Sequence, residues 1–197
     1  MSKGIDKIFK REYVLASKSE RRVELLNQLG LNFVSIDSNI DEKDGKNDKP
    51  LDVIKYNALN KSRKVAFDFE NRVVIGADTI VVVDKEIVGK PKDHQQAVKS
   101  LKKLSGIKHY VYTGFNIIDT NSGKEVFDYV KTAVHFRKLN NEEIEYYVKH
   151  YKPLDKAGAY GIQDEFGYLF IDKINGDYYN VVGLPLQKLY LNLIKIL

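Results

Sequence analysis

The sequence of 197 residues contains no cysteine, and this absence removes several classes of chemistry. Disulfide bonds, zinc sites built on thiolates and thiol nucleophiles are all excluded, and such a chain suits the reducing cytoplasm. The sequence also lacks a signal-peptide core and any apolar run long enough to span a membrane, so we expect a cytoplasmic protein with no membrane partner. No Gly-x4-Gly-Lys-Ser/Thr stretch occurs, which excludes a P-loop nucleotide site.

Positive charge is in modest excess, because 32 Lys and Arg residues against 27 Asp and Glu residues give a formal net charge of +5. This excess favours an anionic partner, either a nucleic acid or a small polyphosphate. The basic residues are spread among acidic ones, and the glycine and aromatic signature of an RNA-binding sheet is absent. A solvated surface explains most of the charge, so we expect a small-molecule anion as partner and no nucleic acid.

Hydrophobic periodicity predicts a single α/β domain over residues 1–197, since the chain is too short for two ordinary enzyme domains. Strand and helix patterns alternate at first, and long antiparallel strand patterns follow. This order predicts a mixed twisted sheet with flanking helices, arranged as two lobes around a cleft. The predicted strands are residues 13–15, 33–36, 73–75, 80–83, 110–118, 126–136 and 168–171, and the predicted helices are 17–29, 50–69, 93–104, 140–151 and 186–197, with a polar loop at 37–49.

Asp78 interrupts two short β-branched apolar runs, residues 73–75 and 80–83, which are typical of interior strands. We therefore place it at the end of one buried strand and beside the next. A charged group there costs free energy unless a metal, a cation or hydrogen-bond donors compensate it, so it is a candidate site residue. Lys90 follows one hairpin later and is expected to return near this carboxylate. The alternative is an aspartate that only caps a turn through its own backbone.

Two segments of the chain, Leu15-Ala16-Ser17-Lys18-Ser19-Glu20-Arg21-Arg22 and Gly76-Ala77-Asp78-Thr79, belong to a set of five sequence blocks spread over nearly its whole length. In this order, the five blocks resemble the Maf family of nucleoside triphosphate pyrophosphatases. The resemblance implies an elongated α/β fold like that of the inosine triphosphate pyrophosphatases, with the active site in the cleft. It also implies release of pyrophosphate from dTTP or UTP and a divalent cation such as Mg²⁺ or Mn²⁺ as cofactor. A homodimer is compatible with the resemblance. The blocks are residues 15–22, 76–91, 105–109, 155–163 and 174–185, which include Gly76-Ala77-Asp78-Thr79 and Gly89-Lys90-Pro91.

The resemblance assigns catalytic roles to three residues. Asp78 matches the proton acceptor of the family, and Glu42 matches an acidic position where a second carboxylate would share the divalent metal with Asp78. Ligation by oxygen alone suits Mg²⁺ or Mn²⁺, and the four histidines show no spacing typical of metal ligands. Lys90 would stabilise the leaving pyrophosphate, and Lys61 would complete this clamp. The alternative readings are a solvated loop charge for Glu42 and surface positions for both lysines.

Ser17, Ser19 and Arg21 open a helix and are candidates for triphosphate binding, because a helix N-terminus offers free backbone N–H groups to an anion. The alternative is that both serines are ordinary N-caps. Arg21 weighs against that alternative, since a cation in the first turn is unfavourable unless an anion compensates it. Glu20 stands where the family often has proline, and it adds a negative charge near the expected phosphates.

Gln163 is the candidate for base recognition, because its amide presents both a donor and an acceptor to the N3–H and O4 edge of uracil or thymine. The resemblance implies that Arg21 and Thr79 tune this preference together with Gln163. The loop glycines Gly158 and Gly161 either allow close approach of the base or simply serve turns. A non-catalytic nucleotide-binding regulator of cell division is the alternative function, and a nucleic-acid-binding module ranks last.

Overall fold

The computed structural model describes residues 3–45 and 48–197. Within these residues, seven strands and seven α-helices follow one another along the chain. Their bounds are α1 Lys3–Lys10, β1 Glu12–Leu15, α2 Glu20–Leu29, β2 Asn32–Ser35, α3 Pro50–Ala66, β3 Val73–Val83, β4 Glu86–Val88, α4 His94–Leu104, β5 Lys108–Asp119, β6 Lys124–Phe136, α5 Asn141–Tyr151, β7 Ile171–Asn175, α6 Tyr178–Val182 and α7 Leu186–Ile196.

All seven strands form one mixed sheet, as the sequence predicted. The strand order is β2-β1-β3-β5-β6-β7, and the short β4 pairs with the end of β3. β1 runs parallel to β2 and to β3, whereas β3, β5, β6 and β7 pair antiparallel. The chain therefore begins with parallel βαβ units, which account for the early alternation of strand and helix patterns. It continues with a long antiparallel hairpin, which accounts for the long strand patterns that follow.

Local signals placed most helix ends correctly. Gly30 adopts φ +75° and ends α2, and Pro50 begins α3. Asn140 and Glu143 form the expected reciprocal capping box at the start of α5. No helix in residues 3–45 and 48–197 has the length and apolar character needed to cross a membrane.

Two hydrophobic cores lie against the same face of the sheet. One core, which includes Leu26, Phe115 and Leu189, joins α2 and α7 to β1, β3 and β5. The other core packs α4 and α5 against the opposite end of β3, β5 and β6 and includes Leu101 and Tyr147. Residues of both cores border one cleft, which confirms the predicted arrangement of two lobes.

Asp78 does not lie at a strand end, and this part of the prediction is wrong. β3 is continuous from Val73 to Val83, and Asp78 is its sixth residue, paired with Gly114 of β5. Residues 73–82 pair without interruption with residues 119–110 of β5, so the long partner strand keeps the ladder intact across the charged position. Hydrogen bonds from α3, described below, compensate the charge.

The predicted strand at residues 168–171 is also wrong in its position. Residues Gly167–Phe170 form a 3₁₀ turn, and the strand is Ile171–Asn175. The strand begins where β6 offers a partner, since Phe136 pairs with Ile171 and Ala133 with Asn175. The short helix α6 was not predicted; Asp177 caps it by accepting a hydrogen bond from the Asn180 amide. Residues 37–45 and 48–49 form neither helix nor strand, as expected, and residues 46–47 of the predicted loop lie outside the described residues.

Candidate active site

The cleft between the two cores gathers all nine residues that the sequence proposed for the site. Its walls come from the start of α2, the loop after β2, helix α3, the middle of β3 and the loop that follows α5. The nine residues that line it are Ser17, Ser19, Arg21, Glu42, Lys61, Asp78, Thr79, Lys90 and Gln163. Segments far apart in the sequence therefore meet at one place.

Asp78 is buried, with only 6% of its surface exposed, and both of its carboxylate oxygens have partners. Lys61 Nζ lies 3.1 Å from Oδ1, and Asn57 Nδ2 donates to Oδ2 at 2.9 Å. Both partners project from α3, which packs on the face of the sheet that carries Asp78. An ammonium and an amide thus compensate the buried charge and fix the orientation of the carboxylate.

Lys61 also joins Asp78 to Glu42, because its ammonium lies 2.9 Å from Glu42 Oε1. Burial alone would raise the pKa of Glu42, but the Lys61 ammonium outweighs that effect and the pKa is lowered. Lys90 Nζ lies 4.0 Å from the other Glu42 oxygen. The lysine in direct contact with Asp78 is therefore Lys61. Lys90 lines the same cleft as Asp78, near which it was expected, and its ammonium lies beside Glu42.

Asn57 is a site residue that the sequence analysis missed. Its side chain accepts from the Lys43 amide at 2.9 Å and donates to the Lys43 carbonyl at 3.2 Å, besides its bond to Asp78. One buried amide thus holds both the loop that carries Glu42 and the carboxylate of Asp78. No local pattern in the sequence indicates this role, because an asparagine within a helix can equally point to solvent or bond to its own helix.

Arg22 was also missed, although it stands beside the predicted Arg21. Its guanidinium is buried and donates to the Gly183 carbonyl at 2.9 Å, to Thr79 Oγ1 at 3.0 Å and to Ser17 Oγ at 3.2 Å. All three acceptors are neutral. Burial lowers the pKa of Arg22, and the charge of Asp78 partly opposes that shift. The argument applied to Arg21, a cation in the first turn of a helix, would have found Arg22 as well.

Arg21 faces a carboxylate at the rim of the cleft. Its guanidinium forms an ion pair with Asp155, which is also in contact with Lys156. Burial raises the pKa of Asp155, but hydrogen bonds from Arg21 and Lys156 outweigh it and the pKa is lowered. The nearby N-cap Ser19 makes no side-chain capping bond. Its hydroxyl and the amides of Glu20 and Arg21, the first two of α2, have no hydrogen-bond partner in the part of the chain that the structure describes, so they can donate to another acceptor.

Gln163 lines the cleft with a buried side-chain oxygen, Oε1, that has no hydrogen-bond partner among the described residues. A buried acceptor without a donor is unfavourable unless a ligand supplies one. The two glycines of this loop serve packing. Gly158 has φ +73°, and a Cβ there would meet Val81 at 2.9 Å, whereas a Cβ at Gly161 would meet Asp164 at 2.4 Å.

His109 has a structural role. Its ring is fully buried and lies 2.8 Å from the hydroxyl of Tyr160. Burial lowers the pKa of His109 to about 4, so the imidazole is neutral at physiological pH. It does not line the cleft.

Comparison with known proteins agrees with this arrangement. The family model described as Maf-like protein matches residues 12–196. The chain belongs to the Maf family. Among its Maf relatives, proteins named dTTP/UTP pyrophosphatase from Dictyoglomus turgidum, Thermoanaerobacter sp. strain X514 and Clostridium botulinum strain Kyoto are 46%, 48% and 46% identical to it. The alignments cover 91%, 90% and 91% of this chain and 93%, 92% and 94% of the relatives.

A solved structure of the Staphylococcus aureus Ham1 protein is similar with a TM-score of 0.46 and 15% identity, covering 64% of this chain and 72% of that one.

Within the Maf pattern, Glu20 is the departure noted above. It is the first residue of α2, is exposed and borders the cleft.

The described residues contain no group of three or more His, Asp or Glu side chains arranged to hold a metal ion. Two carboxylates, Asp78 and Glu42, do meet in the cleft around Lys61. Mg²⁺ commonly uses one or two carboxylates and completes its shell with water and substrate phosphate oxygens. This donor set therefore fits such a cation only together with a phosphate ligand.

Proposed function

We propose that this chain hydrolyses dTTP and UTP to the nucleoside monophosphate and pyrophosphate. Its Maf relatives carry that activity in their names, and their alignments cover nine-tenths of the chain. The observation that supports the reaction best is the cleft itself, where a buried, hydrogen-bonded carboxylate and a buried guanidinium with only neutral acceptors line the same space. A general base and a phosphate-binding cation are what attack of water on a phosphate requires.

In this proposal Asp78 accepts the proton of the attacking water. Its two oxygens are held by Lys61 and Asn57, so the carboxylate is oriented before substrate binds. The remaining lone pairs of these oxygens are the acceptors for the water. Burial at the floor of the cleft limits competition from bulk solvent and strengthens each contact made there.

The negative charge of the triphosphate would be balanced by cations from two parts of the chain. Arg21 and Arg22 lie on α2, and Lys90 follows the β3–β4 hairpin. The free hydroxyl of Ser19 and the start of α2 add neutral donors. We also propose that Asp78 and Glu42 hold Mg²⁺ or Mn²⁺ with phosphate oxygens completing its shell. When bound, the cation supplies positive charge that stabilises the developing charge on the phosphates.

Base selection in this proposal rests on Gln163. Its unpartnered Oε1 would accept from the N3–H of uracil or thymine, while its amide would donate to O4. Thr79 lies on the same wall and is held by Thr113 and Arg22, so it is rigid against the sugar and base region. Replacement Gln163→Leu should raise KM for dTTP and UTP because the paired edge of the base loses both partners.

The test is release of pyrophosphate from a panel of ordinary nucleoside triphosphates, with Mg²⁺, with Mn²⁺ and with a chelator. We expect turnover of dTTP and UTP that requires the cation. Asp78→Asn should lower kcat by about 10² to 10⁴ while the fold remains, because general-base catalysis contributes about that much. The control is Asp68→Asn, the same change at an exposed position outside the cleft. Undiminished turnover in Asp78→Asn would remove Asp78 as the base, and nucleotide binding without turnover would instead favour a regulator.

A further inference from the structure

The antiparallel end of the sheet leaves part of one face open. Side chains alternate along a strand, so the even-numbered residues of β5 share a face with their partners on β6. Helix α3 packs on this face over β3 and β5. Beyond α3, a basic and aromatic surface follows, which we call the lysine–tyrosine face; its members are Lys108, Tyr110 and Tyr112 on β5, Tyr129, Lys131, Ala133 and His135 on β6, and Lys173 and Asn175 on β7.

Positive charge dominates this face. The grooves along it are lined by five exposed lysines and His135, against two aspartates, Asp48 and Asp84. None of the five lysines forms an ion pair with a carboxylate of the described residues. The five are Lys49, Lys85, Lys108, Lys131 and Lys173. The charge is therefore free to act on an anion from outside.

Aromatic rings alternate with these lysines. Lys131 Nζ lies 4.0 Å from the ring centroid of Tyr110 and 5.4 Å from that of Tyr112. Lys108 Nζ lies 5.6 Å from the Tyr110 ring, and Tyr129 leaves 39% of its surface exposed. An ammonium that rests on a tyrosine ring can move to a phosphate and leave the ring to a base.

We propose that the lysine–tyrosine face binds single-stranded nucleic acid. Proteins that hold single strands combine a positive groove for the backbone with aromatic side chains on which bases stack, and this face supplies both. Exposed aromatic rings favour unpaired bases over a duplex, because the bases of a duplex are already stacked on one another. The face shares no lining residue with the cleft, so it is a second site.

The cluster arises only in the folded chain. Lys85, Lys108, Lys131 and Lys173 are separated by at least twenty positions in the sequence, and all but Lys108 stand within three positions of an acidic residue. Pairing of β5 with β6 and of β6 with β7 brings three of them to one surface, with Lys108 opposite His135 and His135 opposite Lys173. The sequence therefore showed dispersed charge, whereas the sheet concentrates it.

The experiment measures fluorescence anisotropy of a labelled oligothymidylate of about 20 nucleotides, long enough to span a site of this class. The full chain is titrated at several salt concentrations, with an equally long duplex for comparison. The triple variant Lys108→Gln, Lys131→Gln and Lys173→Gln removes charge from the face. We expect its affinity to fall at least about tenfold and the slope of log K against log salt to decrease by about 2, since each lost phosphate contact contributes about 0.7.

The matched control removes the same charge elsewhere, at three exposed helix positions of α4 and α5: Lys99→Gln, Lys102→Gln and Lys149→Gln. This variant should bind the oligonucleotide like the wild type. Tyr110→Leu keeps an apolar side chain but removes stacking, and it should weaken binding about fivefold or more. Because the two sites are separate, dTTP should not displace the oligonucleotide from the lysine–tyrosine face. For the same reason, the variant that lacks the three lysines of the face should still hydrolyse dTTP.

Several outcomes overturn the proposal. Equal weakening in both triple variants would mean that diffuse charge alone binds the oligonucleotide. Displacement by dTTP would place the oligonucleotide in the cleft, and a preference for duplex would exclude a single-strand platform. Absence of binding at low salt would refute a nucleic-acid site on this face. A change only in oligomeric state when the three lysines of the face are replaced would assign this surface to a second copy of the chain.

Discussion

At the scale of single residues, Asp78 and Lys61 form a buried pair in which each group depends on the other. Their side chains are 9% and 7% exposed, and Asn57 completes the partners of the carboxylate. Removal of one member of such a pair leaves an uncompensated charge in a poorly solvated place. The pair therefore contributes to the stability of the fold as well as to the proposed chemistry.

Lys61→Met should lower the free energy of unfolding by about 3 kcal/mol, because the Asp78 carboxylate is then buried with only an amide for compensation. Addition of Asp78→Asn to this variant should restore more than about 1 kcal/mol, since the stranded charge disappears. Urea denaturation measures both effects. Lys64→Met, at an exposed position of the same helix, is the control and should change little. Additive losses in the double variant would contradict coupling between the two residues.

At the scale of elements, the contact of α3 with β3 places the functional side chains. Gly76 lies where the helix crosses the strand, and a Cβ at this position would sit 2.5 Å from the Ala58 carbonyl oxygen and 2.7 Å from the Ser62 nitrogen. Both atoms belong to the helix backbone, which cannot change rotamer to relieve the contact as a side chain can. The missing side chain thus allows α3 to approach closely enough for Asn57 and Lys61 to reach Asp78.

Gly76→Ala should therefore move α3 away from the sheet. We expect a loss of about 2 to 3 kcal/mol in the free energy of unfolding, typical of overpacking, together with reduced pyrophosphate release. Gly89→Ala is the control for stability, because a Cβ there meets nothing within 4 Å. A Gly76→Ala protein as stable and active as the wild type would show that the helix does not depend on this close approach.

Asn57 connects the loop that carries Glu42 to α3, and its removal should free that loop. In Asn57→Ala the amide of Lys43 loses its acceptor, so its hydrogen exchange should accelerate about fivefold or more, as expected for the loss of about 1 kcal/mol of local stability. Turnover should fall as well. Asn60→Ala, on the same helix, removes only a bond to the Tyr56 carbonyl and should leave Lys43 protected. Unchanged exchange at Lys43 in Asn57→Ala would contradict the anchoring role.

At the scale of the whole molecule, two cores share one sheet face and are separated by a row of threonine hydroxyls, of which those of Thr113 and Thr132 are buried. Thr79, Thr113 and Thr132 follow one another on β3, β5 and β6, and Asn180 of α6 hydrogen-bonds to the latter two. Such a row satisfies its own hydrogen bonds and allows the cleft to open between the cores. The second core also contains the buried imidazole of His109, packed against Phe136 and Tyr160.

His109 should make the stability of the whole fold depend on pH. Its folded pKa of about 4 lies below the ordinary value of 6.5, so the unfolded chain binds the proton more strongly between these values. The stabilisation is therefore complete above the ordinary pKa and is lost as pH falls toward the folded one. Between pH 7 and pH 5 the free energy of unfolding should fall by about 2 kcal/mol from this group, and His109→Gln should show a correspondingly smaller decrease. Parallel pH profiles for the two proteins would contradict this account.

The sequence by itself determined the features that depend on neighbouring residues. Helix ends followed from Gly30, Pro50 and the capping box of Asn140 with Glu143, and the long hairpin followed from alternation around a turn. The family blocks contain seven of the nine predicted residues that line the cleft, all but Glu42 and Lys61. Each of these signals involves residues that are close together in the sequence. It can therefore be recognised without knowing which residues are neighbours in the folded chain.

Only the tertiary structure decided which of these side chains meet. Arg22 contacts a carbonyl 161 positions away, Lys61 rather than Lys90 forms the ion pair with Asp78, and Asn57 joins the loop that carries Glu42 to Asp78. The continuity of β3 through a charged residue and the gathering of lysines on the open sheet face depend on β5 and β6 as partners. The physical reason is that burial, ion pairing and surface charge are sums over neighbours in space, and strand pairing supplies neighbours that periodicity along the chain does not contain.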